Sequence, residues 1–296
     1  MIGGAQARLA PAARVLHDRR ELRRFCAETA RIAIGCLHTE LVLYPKPGLV
    51  SLIDNGSHTD MNAVTFMRSM FALRHYFARI CRAGIDDAPF SVLKQLGIEA
   101  EARMLRATGG INTHRGAIFT LGMLCAAIGR GHAQGMMPTA EGLRAILLIR
   151  WGEELASHTR PAGAESHGAQ AAILHGASGA REEGALGLPS VFEVGLPAMR
   201  RTLAAGRTMY NARIDTLFAL MAHVSDTNVF SRGGAQGASI VKRNAARFLG
   251  LGGTAHPEWQ EYALSCHRTL VAAKLSPGGA ADLLAATCLV HGVTIS

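Results

Sequence analysis

Thr108-Gly109-Gly110-Ile111-Asn112-Thr113-His114-Arg115-Gly116 runs directly into Ala117–Ile128, twelve residues without a charge. A helix buried on most sides suits such a run, so its start lies near the core rather than on the rim. The first turn of a helix leaves backbone N–H groups unpaired and carries partial positive charge. With His114 and Arg115 beside those donors, and glycines that let the backbone approach closely, the stretch suits phosphate oxygens. The same residues also suit a plain glycine turn with an ordinary cap.

Working outward, the composition agrees with helices. Of 296 residues, 49% are hydrophobic and only 5% aromatic, with much alanine and leucine and few β-branched runs. Few segments alternate like strands. The reading is therefore an all-α fold: one compact multi-helix domain with a buried central helix and polar loops forming the site. Residues 1–18 read as a flexible N-terminal extension and 19–296 as the helical catalytic domain. The 31 basic against 22 acidic residues give +9, and only four of the basic ones are lysine. Arginine suits bidentate contacts to phosphate and carboxylate, so anionic partners are expected. The basic residues are scattered and aromatic platforms scarce, which argues against nucleic acid. Six cysteines form no CxxC pair and read as buried thiols of a reducing compartment. With no secretory pattern and no apolar run of bilayer length, a cytoplasmic location away from membranes is expected.

Along the chain, Leu22, Cys26, Thr29, Ala33, Cys36 and Glu40 share one helix face. Glu40 is a carboxylate on an apolar stripe and requires a cation, a metal or a structural arginine. Pro45-Lys46-Pro47-Gly48 ends that helix and holds Lys46 on a stiff segment. Asp54, His58 and Asp60 crowd the next loop, with Thr59 read as the cap of a helix running to about Arg82. Oxygen-rich clusters of this kind can hold Mg²⁺ with phosphates completing its shell. Glu101 sits at the margin of a helix over residues 90–107. Residues 159–187 read as a long loop with short helical pieces, of the kind that can act as a lid. Asp226 follows a buried helix over residues 211–224, where the helix C-terminus opposes a negative charge. A metal or an arginine is expected beside it. Neither GxxxxGK[ST] nor GxGxxG nor GxSxG occurs in the required context.

Four clusters in this order form a specific set: Glu40…PKPGLV with HTDM, Glu101…TGGINTHRG, Asp226-Thr227-Asn228-Val229 with Arg232-Gly233-Gly234, and SPGGAADLL from Ser276. Over residues 20–290 the chain resembles the triphosphoribosyl-dephospho-coenzyme A synthase family. The wording SLIDNGSHTDMN and the arginine of NTHRG resemble its malonate decarboxylase branch more than its citrate lyase branch. The resemblance implies that ATP and 3′-dephospho-coenzyme A are the substrates. The 2′-hydroxyl attacks C1 of the ATP ribose, adenine leaves, and the triphosphate stays on the product. That product is the prosthetic-group precursor of an acyl-carrier subunit, handed to a downstream acyl-carrier-protein transferase.

Laid against that reaction, Lys46, Arg115 and Arg232, with Asn112, Thr113 and Asn228, are the expected nucleotide-binding residues. Asp60, Glu101 and Asp226 are the expected Mg²⁺ ligands. Glu40, His58, Glu101 and His114 are the expected acid–base and positioning groups, their roles left open. A homodimer is compatible with the sequence. The rival readings are an RNA-binding module and a metal-dependent nucleotide glycohydrolase that uses the same acids with water as acceptor.

Overall fold

The computed structural model describes residues 11–159 and 180–294. Its helices are α1 (Pro11–Val42), α2 (Ala63–Leu73), α3 (Tyr76–Ile85), α4 (Phe90–Ala107), α5 (Arg115–Ala133), α6 (Ala140–Thr159), α7 (Ala180–Ala185), α8 (Leu196–Ala204), α9 (Met209–His223), α10 (Thr227–Gly250), α11 (Trp259–Ala272) and α12 (Gly278–Thr294). A π-helical turn (Ser190–Gly195) leads into α8, and a 3₁₀ turn (Gly253–Ala255) links α10 to α11. No strand occurs among the described residues, and no helix there is long and apolar enough to cross a membrane.

The uncharged run is the centre of the packing. From Thr120 to Gly129 every residue of α5 is buried, so the helix is enclosed on all sides. Its tightest neighbour is α3. A Cβ on Gly84 would fall 2.0 Å from the Ala126 carbonyl oxygen, and one on Gly129 would fall 2.1 Å from the Cys81 carbonyl oxygen. Glycine at both positions lets the two backbones touch, and any side chain would force them apart. Helices α1, α4, α6 and α12 complete the shell. On α1, Cys26, Thr29, Ala33, Cys36, Leu37 and Glu40 are buried, as the spacing predicts.

Three local readings change. Helix α1 starts at Pro11 rather than at residue 19, in keeping with the helix-favouring alanine and arginine there; residues 1–10 lie outside the described residues. The helix read from Thr59 to Arg82 is two. Asn62, not Thr59, caps α2, its side chain accepting from Thr65 N at 3.1 Å, and the chain turns at Arg74–His75 so that α2 packs on α4 while α3 packs on α5. The polar cluster after Asp226, read only as the end of the preceding helix, is the start of α10, which bends at Gly234. Of the proposed lid, residues 160–179 lie outside the described residues, and α7 follows them.

Candidate active site

Glu40 closes the buried stripe of α1, and its cation is Lys46, six residues later, rather than an arginine or a metal. The ammonium lies 2.5 Å from Oε1, with Lys46 1% and Glu40 5% exposed. The Pro-Lys-Pro segment thus holds its lysine inward, so Lys46 is engaged by Glu40 instead of standing open for a triphosphate. Burial pushes the Lys46 pKa down, opposed by Glu40 and by Asp54. The backbone of the same loop is pinned to α11, where His267 Nδ1 lies 3.1 Å from the Lys46 carbonyl oxygen.

His114, the residue before α5, is 2% exposed and faces this pair. Its Nδ1 is 2.6 Å from Ser69 Oγ on α2, and Phe66 packs edge-on against the ring at 5.0 Å. With Ser69 as donor to Nδ1 the ring proton resides on Nε2; with Nδ1 as donor Nε2 is the acceptor. That Nε2 is buried and unpartnered, as is Thr113 Oγ1 beside it. Burial and the Lys46 charge push the His114 pKa down to about 3, so the ring is neutral at physiological pH. It offers its unpartnered Nε2 to a ligand.

This neutrality has a measurable consequence. The unfolded imidazole takes up a proton below about pH 6.5, whereas the folded one resists it. Stability is therefore present above that pH and is lost as pH falls toward 3, at up to roughly 1.4 kcal/mol per unit from this group. Urea titrations at pH 7 and pH 5 should show wild type losing about 2 kcal/mol more than His114→Asn.

Asp282, one turn into α12, is the carboxyl that the sequence reading left without a role. It accepts the Ala117 N–H at the start of α5, so the helix terminus expected to meet phosphate meets this side chain. Burial and the nearby Glu40 and Asp226 charges raise its pKa well above the ordinary carboxylate range. A Cβ on Gly116 would lie 2.1 Å from Asp282 Oδ2. Gly116→Ala should therefore displace the carboxyl and destabilise the chain by roughly 1–3 kcal/mol, read as a fall in thermal midpoint with turnover falling alongside.

Among the described residues no arginine pairs with Asp226. It is the N-cap of α10, accepting from Asn228 N at 2.8 Å, and it also accepts from Gly279 N at 2.7 Å and Ala280 N at 3.2 Å at the start of α12. One carboxylate thus joins two helix N-termini, where its charge is favoured. Burial raises its pKa while these N–H donors pull it back.

The outer rim carries the remaining cluster. His58 Nε2 lies 2.8 Å from Ser276 Oγ and Nδ1 lies 3.1 Å from Arg232 Nη2. A guanidinium only donates, so Nδ1 accepts and Nε2–H donates to Ser276. Burial and the Arg232 charge lower the His58 pKa, with Asp60 opposing at 3.6 Å. Arg232 also donates to the Ser57 carbonyl at 3.2 Å, leaving the exposed guanidinium braced at its base. Arg115 is ion-paired with Glu101. Asn112 Oδ1 accepts from Arg115 N, the first residue of α5, at 3.2 Å, and the Asn228 amide lies beside Gly278. Among the described residues no three His, Cys, Asp or Glu side chains converge as a metal-holding group. Asp60, Glu101 and Asp226 each have a separate partner instead. Ser69 and Ser276, which orient the two histidines, carry no local signal in the sequence.

A carboxyl with a raised pKa, a neutral imidazole and a rim of arginines therefore surround the joined starts of α5, α10 and α12. A model of the ATP:dephospho-CoA triphosphoribosyl transferase family matches residues 26–295. The chain belongs to that family. It is 38% identical over 256 residues to a probable 2-(5″-triphosphoribosyl)-3′-dephosphocoenzyme-A synthase of Acinetobacter calcoaceticus, spanning 86% of this chain and 87% of that one. A synthase of the same name from Pectobacterium atrosepticum is 38% identical over 262 residues, covering 86% and 85%. A probable synthase of Citrobacter koseri is 39% identical over 268 residues, covering 87% and 88%. No solved structure matches the chain. In this member of the family, TGGINTHRG, DTNV and SPGGAADLL supply the helix starts that assemble the site.

Proposed function

We propose that the chain joins ATP to 3′-dephospho-CoA, releasing adenine and forming 2′-(5″-triphosphoribosyl)-3′-dephospho-CoA for the malonate decarboxylase acyl-carrier subunit. The observations that carry the chemistry are the Asp282 carboxyl held against Gly116 and the unpartnered His114 Nε2. Departure of adenine through an oxocarbenium-like state needs a proton or a hydrogen bond at the leaving base. Asp282 supplies that proton and His114 Nε2 holds a polar atom of substrate. With Asp226 committed to backbone N–H groups, Glu40 is the carboxylate in the pocket that takes the 2′-hydroxyl proton. Arg115 and Arg232 neutralise the triphosphate, Arg115 exchanging its Glu101 partner for phosphate oxygens.

The donor set fits Mg²⁺ in the mode in which substrate phosphates and water supply most ligands, since the residues present make no cage of their own. Asp60 and Glu101, both at the surface of the site, would hold it, and the bound ion would neutralise the triphosphate. The malonate decarboxylase assignment rests on the SLIDNGSHTDMN and NTHRG wording. Adenine release from ATP should require 3′-dephospho-CoA and be abolished when CoA replaces it, because the 3′-phosphate crowds the attacking hydroxyl. Release that is equal without any acceptor would favour a glycohydrolase. Deleting the gene in its source should leave the malonate decarboxylase acyl carrier without its prosthetic group; an intact carrier would remove that assignment.

A further inference from the structure

At the far end of α5 a cavity of about 300 Å³ opens between α1, α5, α6 and α12. Ile32, Ile128, Leu143, Ile146 and Val293 line it, and the Phe25 ring lies against His132 at 3.8 Å, closing one side. Met136 and Met137, both exposed, stand at its edge in the link from α5 to α6. An engineered apolar cavity about half that size stays dry and binds benzene. The polar groups on these walls are answered within the chain. Thr29 Oγ1 donates to the Phe25 carbonyl at 3.0 Å, and Thr139 Oγ1 accepts from Gly142 N at 3.0 Å. The Glu28 carboxylate is held by Arg31 at 2.9 and 2.5 Å. The Gly131 carbonyl, near the end of α5, accepts from Gln134 N at 3.1 Å and Met136 N at 2.9 Å. Water needs two to four polar partners to be held in such a space, and these walls leave it few. A molecule that is mostly hydrocarbon needs none, and it gains the contacts that water cannot make. Methionines at the edge can repack around occupants of different shape.

We propose that this cavity is a second binding site, for a small uncharged molecule with an aliphatic or single-ring aromatic body. Its volume falls at the lower end of the range of small-molecule pockets, roughly 300–1,000 Å³. The site is separate from the one described above. Ile128 and His132 lie roughly 20–25 Å along the α5 axis from Arg115, where that helix begins.

The test is calorimetric titration of the full chain with 1-butanol, 1-hexanol and 1-octanol, and with hexanoate at pH 8. Each buried methylene should tighten binding about fourfold, so Kd should fall roughly fifteenfold per step of the series until the cavity is full. Hexanoate should bind about tenfold more weakly than 1-hexanol or worse, because the Glu28 carboxylate shares the wall. Met136→Asp, at an exposed position that keeps folding intact, should weaken 1-hexanol about tenfold by setting a charge at the edge. Ile32→Trp takes up part of the space and should end the series at a shorter alcohol. Phe71→Ser removes an exposed ring of α2 that does not line the cavity, and should change nothing. Binding lost in Phe71→Ser but kept in Met136→Asp would be adsorption to the surface and would overturn the proposal. No binding of 1-hexanol to wild type, or equal binding of 1-hexanol and hexanoate, would overturn it as well.

Discussion

Lys46→Met should destabilise the chain by roughly 3–5 kcal/mol, the cost of stranding a buried carboxylate without its partner. Lys46 and Glu40 are 1% and 5% exposed and in direct contact at 2.5 Å, so water cannot replace the lost ammonium. In a domain of this size the thermal midpoint should fall by about 10 °C. The double variant Glu40→Met, Lys46→Met removes both charges and should recover most of the loss, because a buried ion pair is worth little over apolar packing. Turnover should not return with stability if Glu40 takes the hydroxyl proton. Melting curves on the three variants check the first part and adenine release the second; equal stability of Lys46→Met and wild type would show that the pair is not buried in solution.

Asp282→Asn has the second large effect, and it runs in opposite directions for stability and activity. Removing a general acid typically lowers turnover by about 10²–10⁴-fold. The raised pKa of Asp282 fixes the sign of the stability change. A carboxyl whose folded pKa lies above its unfolded one contributes fully below the unfolded value and loses that contribution as pH rises through the folded value. At pH 8 wild type therefore bears the cost of either holding that proton or burying the charge, a cost that asparagine lacks. Asp282→Asn should melt higher than wild type at pH 8, with the advantage shrinking toward pH 4. Such a trade of stability for activity is common where a site holds an uncomfortable charge. A variant that melts lower at both pH values would make Asp282 a structural acceptor for Ala117 N–H and nothing more.

These residues also mark how far the sequence could be read. The uncharged run from Ala117 gave the central helix, because periodicity and burial are written locally. Glu40 was legible as a carboxylate in need of a cation, but its partner was assigned as an arginine or metal while the answering lysine stood six residues away, between two prolines. Asp226 was read against the helix it follows. Its actual donors include Gly279 and Ala280, more than fifty residues on, and no spacing rule connects them. Asp282 hid inside an apolar helix, since its meeting with Gly116 exists only once α5 and α12 have packed. The α2–α3 break carries no glycine or proline and is imposed by two different packing partners. Local chemistry was visible; partners made by tertiary contact were not.

The central claim is ribosyl transfer at the joined starts of α5, α10 and α12, and the mass of the product tests it most directly. Purified chain is incubated with ATP, Mg²⁺ and 3′-dephospho-CoA, and the mixture is resolved by mass spectrometry alongside free adenine. The account expects one adenine for each dephospho-CoA that gains a triphosphoribosyl group, with both lost together in Asp282→Asn. Transfer of a phosphoryl group with adenine still attached, or adenine freed with dephospho-CoA unchanged, would contradict it.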